Sequence, residues 1–290
     1  MGSGQSIGTV LGEIVRRAAD EVERTAAAAL ADEPDGVHQQ RVRVRRLRSV
    51  LGGFHDLLDG RDAVRLRVAY AEWGRELGVV RDIEVRATVA SASLTAAGID
   101  DPAVVRRLID SEREAYAAAH ARLVELAASP RAQERQRELR AFADSPAVAE
   151  PERPAAPVLA DVVQAQVKRV RKSARRLDGS DERYHDLRKA ARRAKYVAEA
   201  VADAAPGILT SEVQALAEAG DDLHDALGAH RDGMLLAHRA RREGALAGHA
   251  GERSDVYDTL ADLAQAEAEK QLAVVAPALR RLDDAASDLP

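Results

Sequence analysis

The run VHQQRVRVRRLRSVLGGF, Val37 to Phe54, contains one histidine, five arginines (Arg41, Arg43, Arg45, Arg46 and Arg48) and no acidic residue. Wound as a helix at about 100° per residue, it places His38, Arg41, Arg45 and Arg48 within about 80° of one another. Val44, Leu47, Leu51 and Phe54 fall on a separate face. The stretch therefore reads as one helix with an apolar side to bury and a cationic side to present. In a chain of formal net charge −5 this is a local inversion of sign, and the cationic side calls for something to hold.

The rest of the chain fits a helical reading. Its 290 residues include only two Phe, one Trp and five Tyr. A core built mainly from Ala, Leu and Val suits closely packed helices better than a sheet, which favours β-branched and aromatic residues. The expected fold class is all-α. The absence of cysteine excludes disulfides and thiolate chemistry and leaves only His and carboxylate as zinc ligands. No secretory h-region opens the chain and no long apolar run interrupts it, so a soluble, cytoplasmic protein is expected. Lys plus Arg (43) nearly balance Asp plus Glu (48). A generic nucleic-acid binder is usually strongly basic, so the bulk charge weighs against that class.

Residues 1–6, MGSGQS, read as a linker. Helices are expected over 7–30, from Val37 to about Leu58, over 61–97, and from the Asp101-Pro102 cap and first turn to about Ser129, followed by a short tail over 131–142. The segment 144–157 holds four prolines in fourteen residues and cannot be a continuous helix. It separates a first four-helix unit, 7–143, from a second, 158–290. The second is expected to contain helices 158–177, 183–204, 211–242 with a Ser211/Gln214 capping box, a glycine-rich loop near 244–251, and a last helix over 254–282.

The two halves repeat. Shifted by 147 residues, HDLRKAARRAK (185–195) falls on HQQRVRVRRLR (38–48). His185, Arg188, Arg192, Arg193 and Lys195 then match His38, Arg41, Arg45, Arg46 and Arg48. Further on, LGAHRD (227–232) matches LGVVRD (77–82) at a shift of 150. Two motifs in one order at near-constant offset indicate a duplication, each copy a four-helix bundle. If the copies pack about a pseudo-two-fold axis, their cationic faces meet across a shared basic groove, which is electrostatically unfavourable without an anion between them.

At these residues the sequence resembles the CHAD family, the conserved histidine α-helical domain. The paired His-x-x-Arg-x-x-x-Arg-Arg-x-Arg/Lys helices and the paired Leu-Gly-x-x-Arg-Asp turns carry the resemblance, which covers nearly the whole chain. It implies two pseudo-symmetric four-helix bundles, a basic central channel that binds inorganic polyphosphate, no cofactor and no catalysis. It also implies a cytoplasmic protein associated with polyphosphate granules. Family members occur alone or fused after a triphosphate tunnel domain, and Gly2-Ser3-Gly4 resembles such a junction. Carried over residue by residue, the binding set is His38, Arg41, Arg45, Arg48 and Arg81 in the first half and His185, Arg188, Arg192, Lys195 and Arg231 in the second. Gln40 departs from the apolar residue usual after the histidine. Lys195 stands where arginine is commoner and replaces a planar fork by a single ammonium.

The residues suit that ligand. Polyphosphate is a line of tetrahedral anions with no base to stack, so it calls for forked donors at regular intervals, and arginines at i, i+3, i+7 and i+10 rise in steps of roughly 5 Å. The second half adds QVKRVRKSARRL (166–177), where Lys168, Arg171, Lys172, Arg175 and Arg176 form a further stripe whose first four members are candidate contacts. With Arg46, Lys189 and Arg193 these complete the candidate anion-binding set, and the second half is expected to carry more of the affinity. The plain alternative is a solvated arginine face, weakened by the lack of acids inside the first motif. For His38 and His185 a backbone-bonded helix-start histidine stands beside ligand contact, and protonation would tighten binding below about pH 6.5. Arg81 and Arg231 each precede an aspartate that could pair them locally. Two other function classes stay open. The pairs His55-Asp56, His185-Asp186 and His224-Asp225 motivate a metal-dependent phosphohydrolase, with Asp221 to Asp225 its best metal candidate. The acid-free 166–177 stripe motivates a nucleic-acid or acidic-protein binder, and Tyr184 and Tyr196, flanking the second motif, keep the nucleic-acid reading open.

Overall fold

In a computed structural model, which describes residues 4–58 and 60–289, the chain is all-α. The first half contains α1 (Ile7–Leu30), α2 (Gly36–Gly53), α3 (Arg61–Ala97), α4 (Pro102–Val105), a π segment (Arg106–Asp110), α5 (Ser111–Ala127) and α6 (Pro130–Asp144). The second contains α7 (Ala155–Ala174), α8 (Asp181–Ala204), α9 (Thr210–His249), α10 (Asp255–Gln271), a 3-10 turn (Leu272–Val274) and α11 (Val275–Ser287). Each half thus runs long helix, arginine helix and very long helix; two shorter helical stretches follow, the contiguous α4–π–α5 segment and α6 in the first half and α10 and α11 in the second.

One apolar cluster spans both halves. Val44, Leu47 and Leu51 of α2 belong to the same core as Leu187, Val197 and Val201 of α8. The apolar face read from Val37 to Phe54 is buried as expected, with Val44, Leu47 and Phe54 at 0 % exposure. Closeness of α2 to α8 depends on Gly53, where an added Cβ would lie 2.4 Å from the Val197 side chain. Gln40 is 2 % exposed, and its side-chain oxygen accepts from the Thr25 hydroxyl, so the polar departure is satisfied inside the core.

Several expected boundaries move, each for a local reason. Of the 1–6 linker, residues 1–3 lie outside the described residues, and its end is held in place. The Ser6 hydroxyl caps α1, the Gln5 carbonyl accepts from Ala155 N–H, and Ile7 N–H donates to the Arg153 carbonyl. The proline-rich connection is likewise fixed, with Ala149 N–H donating to the Leu57 carbonyl. The opening helix stops at Gly53 rather than near Leu58. Asp101 does cap α4, its carboxylate accepting from Ala103 N–H. Among the described residues no Ser211/Gln214 capping box opens α9, which starts one residue before Ser211, after Leu209 in a left-handed conformation. The glycine-rich loop near 244–251 is mostly helix. Cβ atoms at Gly233 and Gly244 would lie 2.9 Å from Ala268 and 2.8 Å from Tyr257, so these glycines let α10 approach α9 and do not break it. The last expected helix breaks ahead of Pro277, which has no N–H to continue the α-helical ladder.

Candidate functional site: two arginine-lined clefts

α2, α3, α7 and α8 together line a cleft of about 660 Å³. It carries Arg45 and Arg48 from α2, Arg67 and Arg75 from α3, Arg169 and Lys172 from α7, and Lys189, Arg192 and Arg193 from α8. Nine cationic side chains and no carboxylate line this space, and the remaining positions are Ser, Gly, Ala and Val. A second cleft, of about 450 Å³, adjoins it through Arg45. Here His38, Arg41, Arg81, Arg188 and Arg231 face Asp82, Asp225, Asp232 and Glu267. One cleft is purely cationic; the other is mixed.

Most of the charge in the cationic cleft is unrelieved. Among the described residues Arg45, Arg48, Arg67, Arg75, Arg169, Lys172 and Arg192 have no carboxylate within ion-pair distance. The Nε atoms of Arg45, Arg48 and Arg193 are buried without a hydrogen-bond partner. Burial, and then the charges of Arg45 and Arg188, pushes the Arg192 guanidinium down to about 10. Burial, and then Arg169 and Arg67, pushes Arg193 down to about 10. Arg48 is lowered by burial and by Arg75, Arg67 and Arg45. Each shift says that the charged form is disfavoured where it stands, and an anion in the cleft would reverse that sign.

The expected site residues fall into three groups. His38, Arg41, Arg45, Arg48, Arg81, Lys172, Arg188, Lys189, Arg192, Arg193 and Arg231 line one or both clefts. Some of them have partners already: Arg41 binds Asp82 at 2.7 Å, Arg81 binds Glu84 at 2.8 Å, Lys189 binds Asp186 at 2.8 Å, and Arg193 donates to the Gly52 carbonyl. His185 lines an adjoining cleft that shares Arg188 and Arg231 with the mixed one. Outside the clefts lie Arg46, Lys168, Arg171, Arg175 and Lys195. Arg46, 9 % exposed, joins α2 to α1 and α8 through Glu21 and Asp203. Lys195 is held by Asp221 of α9 and, at 3.8 Å, by Glu199. Arg171 reaches Asp283 of α11 at 2.6 Å.

The α7 stripe shows why angular reading alone misplaced residues. The buried ridge of α7 is Leu159, Val163, Gln166, Val167 and Val170. At about 100° per residue, Lys168, Arg171 and Arg175 lie on one flank of that ridge and Arg169, Lys172 and Ser173 on the other. Only the second flank meets the cleft. Arg67 and Arg75 were missed because Glu72 and Glu76 interleave with them in sequence. Arg67, Ala71 and Arg75 nevertheless recur at i, i+4 and i+8, a stripe detectable once the acids are seen to project elsewhere.

The Leu-Gly-x-x-Arg-Asp motifs are not turns. Residues 77–82 lie within α3 and 227–232 within α9. Their glycines make room for an arginine of the same half: a Cβ at Gly78 would lie 3.7 Å from the Arg41 guanidinium, and one at Gly228 would lie 2.8 Å from that of Arg188. The aspartate of the first motif takes Arg41 and leaves Arg81 to Glu84, so local Arg81-Asp82 pairing does not occur.

No backbone or side-chain hydrogen bond holds the His38 or His185 ring among the described residues. Burial, then Arg81, lowers the pKa of His38; burial, then Lys189, lowers that of His185. Any gain in anion affinity from their protonation therefore begins at a lower pH than an ordinary histidine would give. The three His-Asp pairs do not converge. His55 and Asp56 lie between α2 and α3, whereas His185 and His224 line different clefts. Asp221, His224 and Asp225 bring ligand-type atoms within 4.8 Å of one another, but Asp221 is engaged by Lys195. No helix among the described residues is long and apolar enough to cross a membrane.

Fold and clefts together define an all-α protein with a helix-lined, strongly cationic site. A sequence model of the CHAD domain matches residues 13–241, more than half of the chain, and the chain belongs to that family. It is similar over its whole length to the crystal structure of the CHAD domain from the plant Ricinus communis, with a TM-score of 0.67, 20 % identity and 94 % of that chain covered. It is also similar to PptA from Streptomyces chartreusis, with a TM-score of 0.65 and 20 % identity, 98 % of this chain matching 100 % of that one. Uncharacterized proteins from two strains of Mycobacterium tuberculosis, H37Rv and CDC 1551 / Oshkosh, are 27 % identical over 269 residues. The match covers 89 % of this chain and 50 % of theirs, so the chain spans about half the length of the curated relatives it matches.

Proposed function

We propose that this protein is a non-catalytic module that binds inorganic polyphosphate and so recruits its host protein to the polymer or to polyphosphate granules. The observation that carries this reading is the cleft lined by nine cations and no carboxylate. Forked donors at several heights suit a flexible run of tetrahedral anions. Phe, Tyr and Trp are absent from the lining of both clefts. Tyr196 is 4 % exposed in the core, and Tyr184 packs on His230 beside an adjoining cleft. A single-stranded nucleic-acid binder would set such rings where bases could stack. For a phosphohydrolase, the scattered His-Asp pairs supply no common centre.

Titration with long-chain polyphosphate at about 150 mM salt tests the reading, and no binding there sinks it. Affinity is expected to fall steeply as salt rises, with a log-log slope near −0.7 per phosphate contact if single-stranded nucleic acid is a guide. DNA or RNA that displaced the polymer at equal phosphate concentration would count for the nucleic-acid class. Orthophosphate release with Mg²⁺ or Mn²⁺, lost in His224→Ala, would count for the hydrolase.

Gly228→Ala gives a finer check. The new methyl would meet the Arg188 guanidinium, the movable end of a long side chain. Helix propensity gains up to about 1 kcal/mol, so thermal stability should hold or rise while polyphosphate affinity falls severalfold. Unchanged affinity would remove Arg188 from the binding set.

A further inference from the structure

The mixed cleft, which adjoins the cationic one at Arg45, presents Asp82, Asp225, Asp232 and Glu267. Of two further spaces that share residues with it, one carries Asp181 and Glu182, and the other shares Asp82 and Asp232. An interior unit of a polyphosphate chain has one ionised oxygen and only acceptor atoms. An ionised carboxylate is also an acceptor only. With Arg41 and Arg81 already paired to Asp82 and Glu84, threading the chain past these carboxylates would set acceptor against acceptor and like charge against like charge.

A terminal phosphate differs chemically. It has a second ionisable oxygen, which in a phosphate monoester titrates near pH 6, so its protonated form can donate an O–H that no interior unit possesses. The mixed cleft contains an acceptor for that donor. His224 is 8 % exposed, its Nδ1 lies 3.0 Å from an Asp225 carboxylate oxygen, and its Nε2 is buried with no partner. With the proton on Nδ1 and given to Asp225, Nε2 keeps its lone pair. Burial holds this imidazole in the neutral form by lowering its pKa. When the terminal phosphate is fully ionised, Arg45 and Arg188 stand at the same cleft to balance its extra charge.

We propose that the site takes a polyphosphate chain by its end: the terminal phosphate lies in the mixed cleft among Arg45, Arg188, His224 and Asp225, and the following units lie in the all-cationic cleft. This rests on the polyphosphate reading above. It makes the protein a reader of chain ends, so that the number of sites on a polymer follows the number of its termini and not its length.

The test compares three probes by calorimetry: a linear polyphosphate of defined length, a chain longer by two units whose terminal phosphates are both alkyl esters, and a cyclic metaphosphate. The longer capped chain matches the charge lost on capping. Capped and cyclic probes should bind at least about tenfold more weakly, the worth of one hydrogen bond to a charged group, and saturation should approach two proteins per linear chain whatever its length. In Asp225→Asn/Asp232→Asn the penalty on capped chains should shrink. Equal affinity for capped and free chains, or binding that grows in proportion to chain length, overturns the inference while leaving polyphosphate binding intact. Failure of all three probes to bind overturns the polyphosphate reading itself.

Discussion

Replacing Arg45 and Arg192 together by alanine is expected to weaken polyphosphate binding by at least about a hundredfold at physiological salt, each hydrogen bond to a charged group being worth about 1.5–3 kcal/mol, while leaving helicity unchanged. Arg45 is the residue common to both clefts, and Arg192 lines the cationic one. Their positions on α2 and α8 match at the 147-residue shift, so the double change removes one arginine from each half of the lining. Both have no carboxylate partner, and burial disfavours both charges, with Arg192 held near 10. Stability supplies the control. Truncating a surface arginine that packs and pairs would destabilise the fold, whereas removing two mutually repelling, partly desolvated cations relieves a strain. Thermal unfolding should therefore occur at an unchanged or higher temperature in the absence of ligand, and the stabilisation that polyphosphate confers on the parent protein should be lost. Affinity that survives the double substitution would place the anion elsewhere, and a large drop in unliganded stability would mean that these arginines serve the core.

How far the sequence announced this arrangement varied by residue type. In α2 a single period accounts for both faces, because the buried set Val44, Leu47 and Leu51 and the cleft set His38, Arg41, Arg45 and Arg48 sit on one regular helix with no competing acid. The match between Gly78 and Gly228 also pointed to something real. Its meaning needed three dimensions, since only the packed helices show that each glycine faces an arginine of the other motif. Where charges of one sign surround an apolar ridge, as on α7, periodicity identifies the ridge but not which flank meets a neighbour. Arg169 and Arg171 are separated by one residue, yet one lines the cleft and the other reaches α11. Arg46 and Lys195 were invisible for a different reason. Each looks like a member of a binding stripe, and only the distant acids Asp203 and Asp221, brought in by the fold, turn them into ties between helices.

The most damaging single change to the fold itself is expected at Glu112, a residue with no part in the clefts described above. It is 6 % exposed, on α5 just after the π segment, and its carboxylate takes two arginines from two other helices. Arg86 of α3 makes a forked contact at 2.9 and 2.8 Å, and Arg239 of α9 approaches to 2.5 Å. The Arg239 guanidinium also donates to the Arg107 and Leu108 carbonyls, which belong to the π segment. Glu112 thus sits where the first half meets α9 of the second, beside the smaller apolar cluster of Leu94, Leu108, Leu236 and Tyr257. Glu112→Ala would leave Arg239, already disfavoured as a cation by burial, without its counter-charge. Breaking one side of a buried pair costs about 3–5 kcal/mol, which for a chain of this size lowers the unfolding temperature by on the order of 10 °C. Glu112→Leu combined with Arg239→Met should recover most of that loss, because an apolar pair needs no counter-charge. If Glu112→Ala unfolds within a degree or two of the parent, the carboxylate is not the tie between the halves, and the apolar cluster alone holds α9 against the π segment.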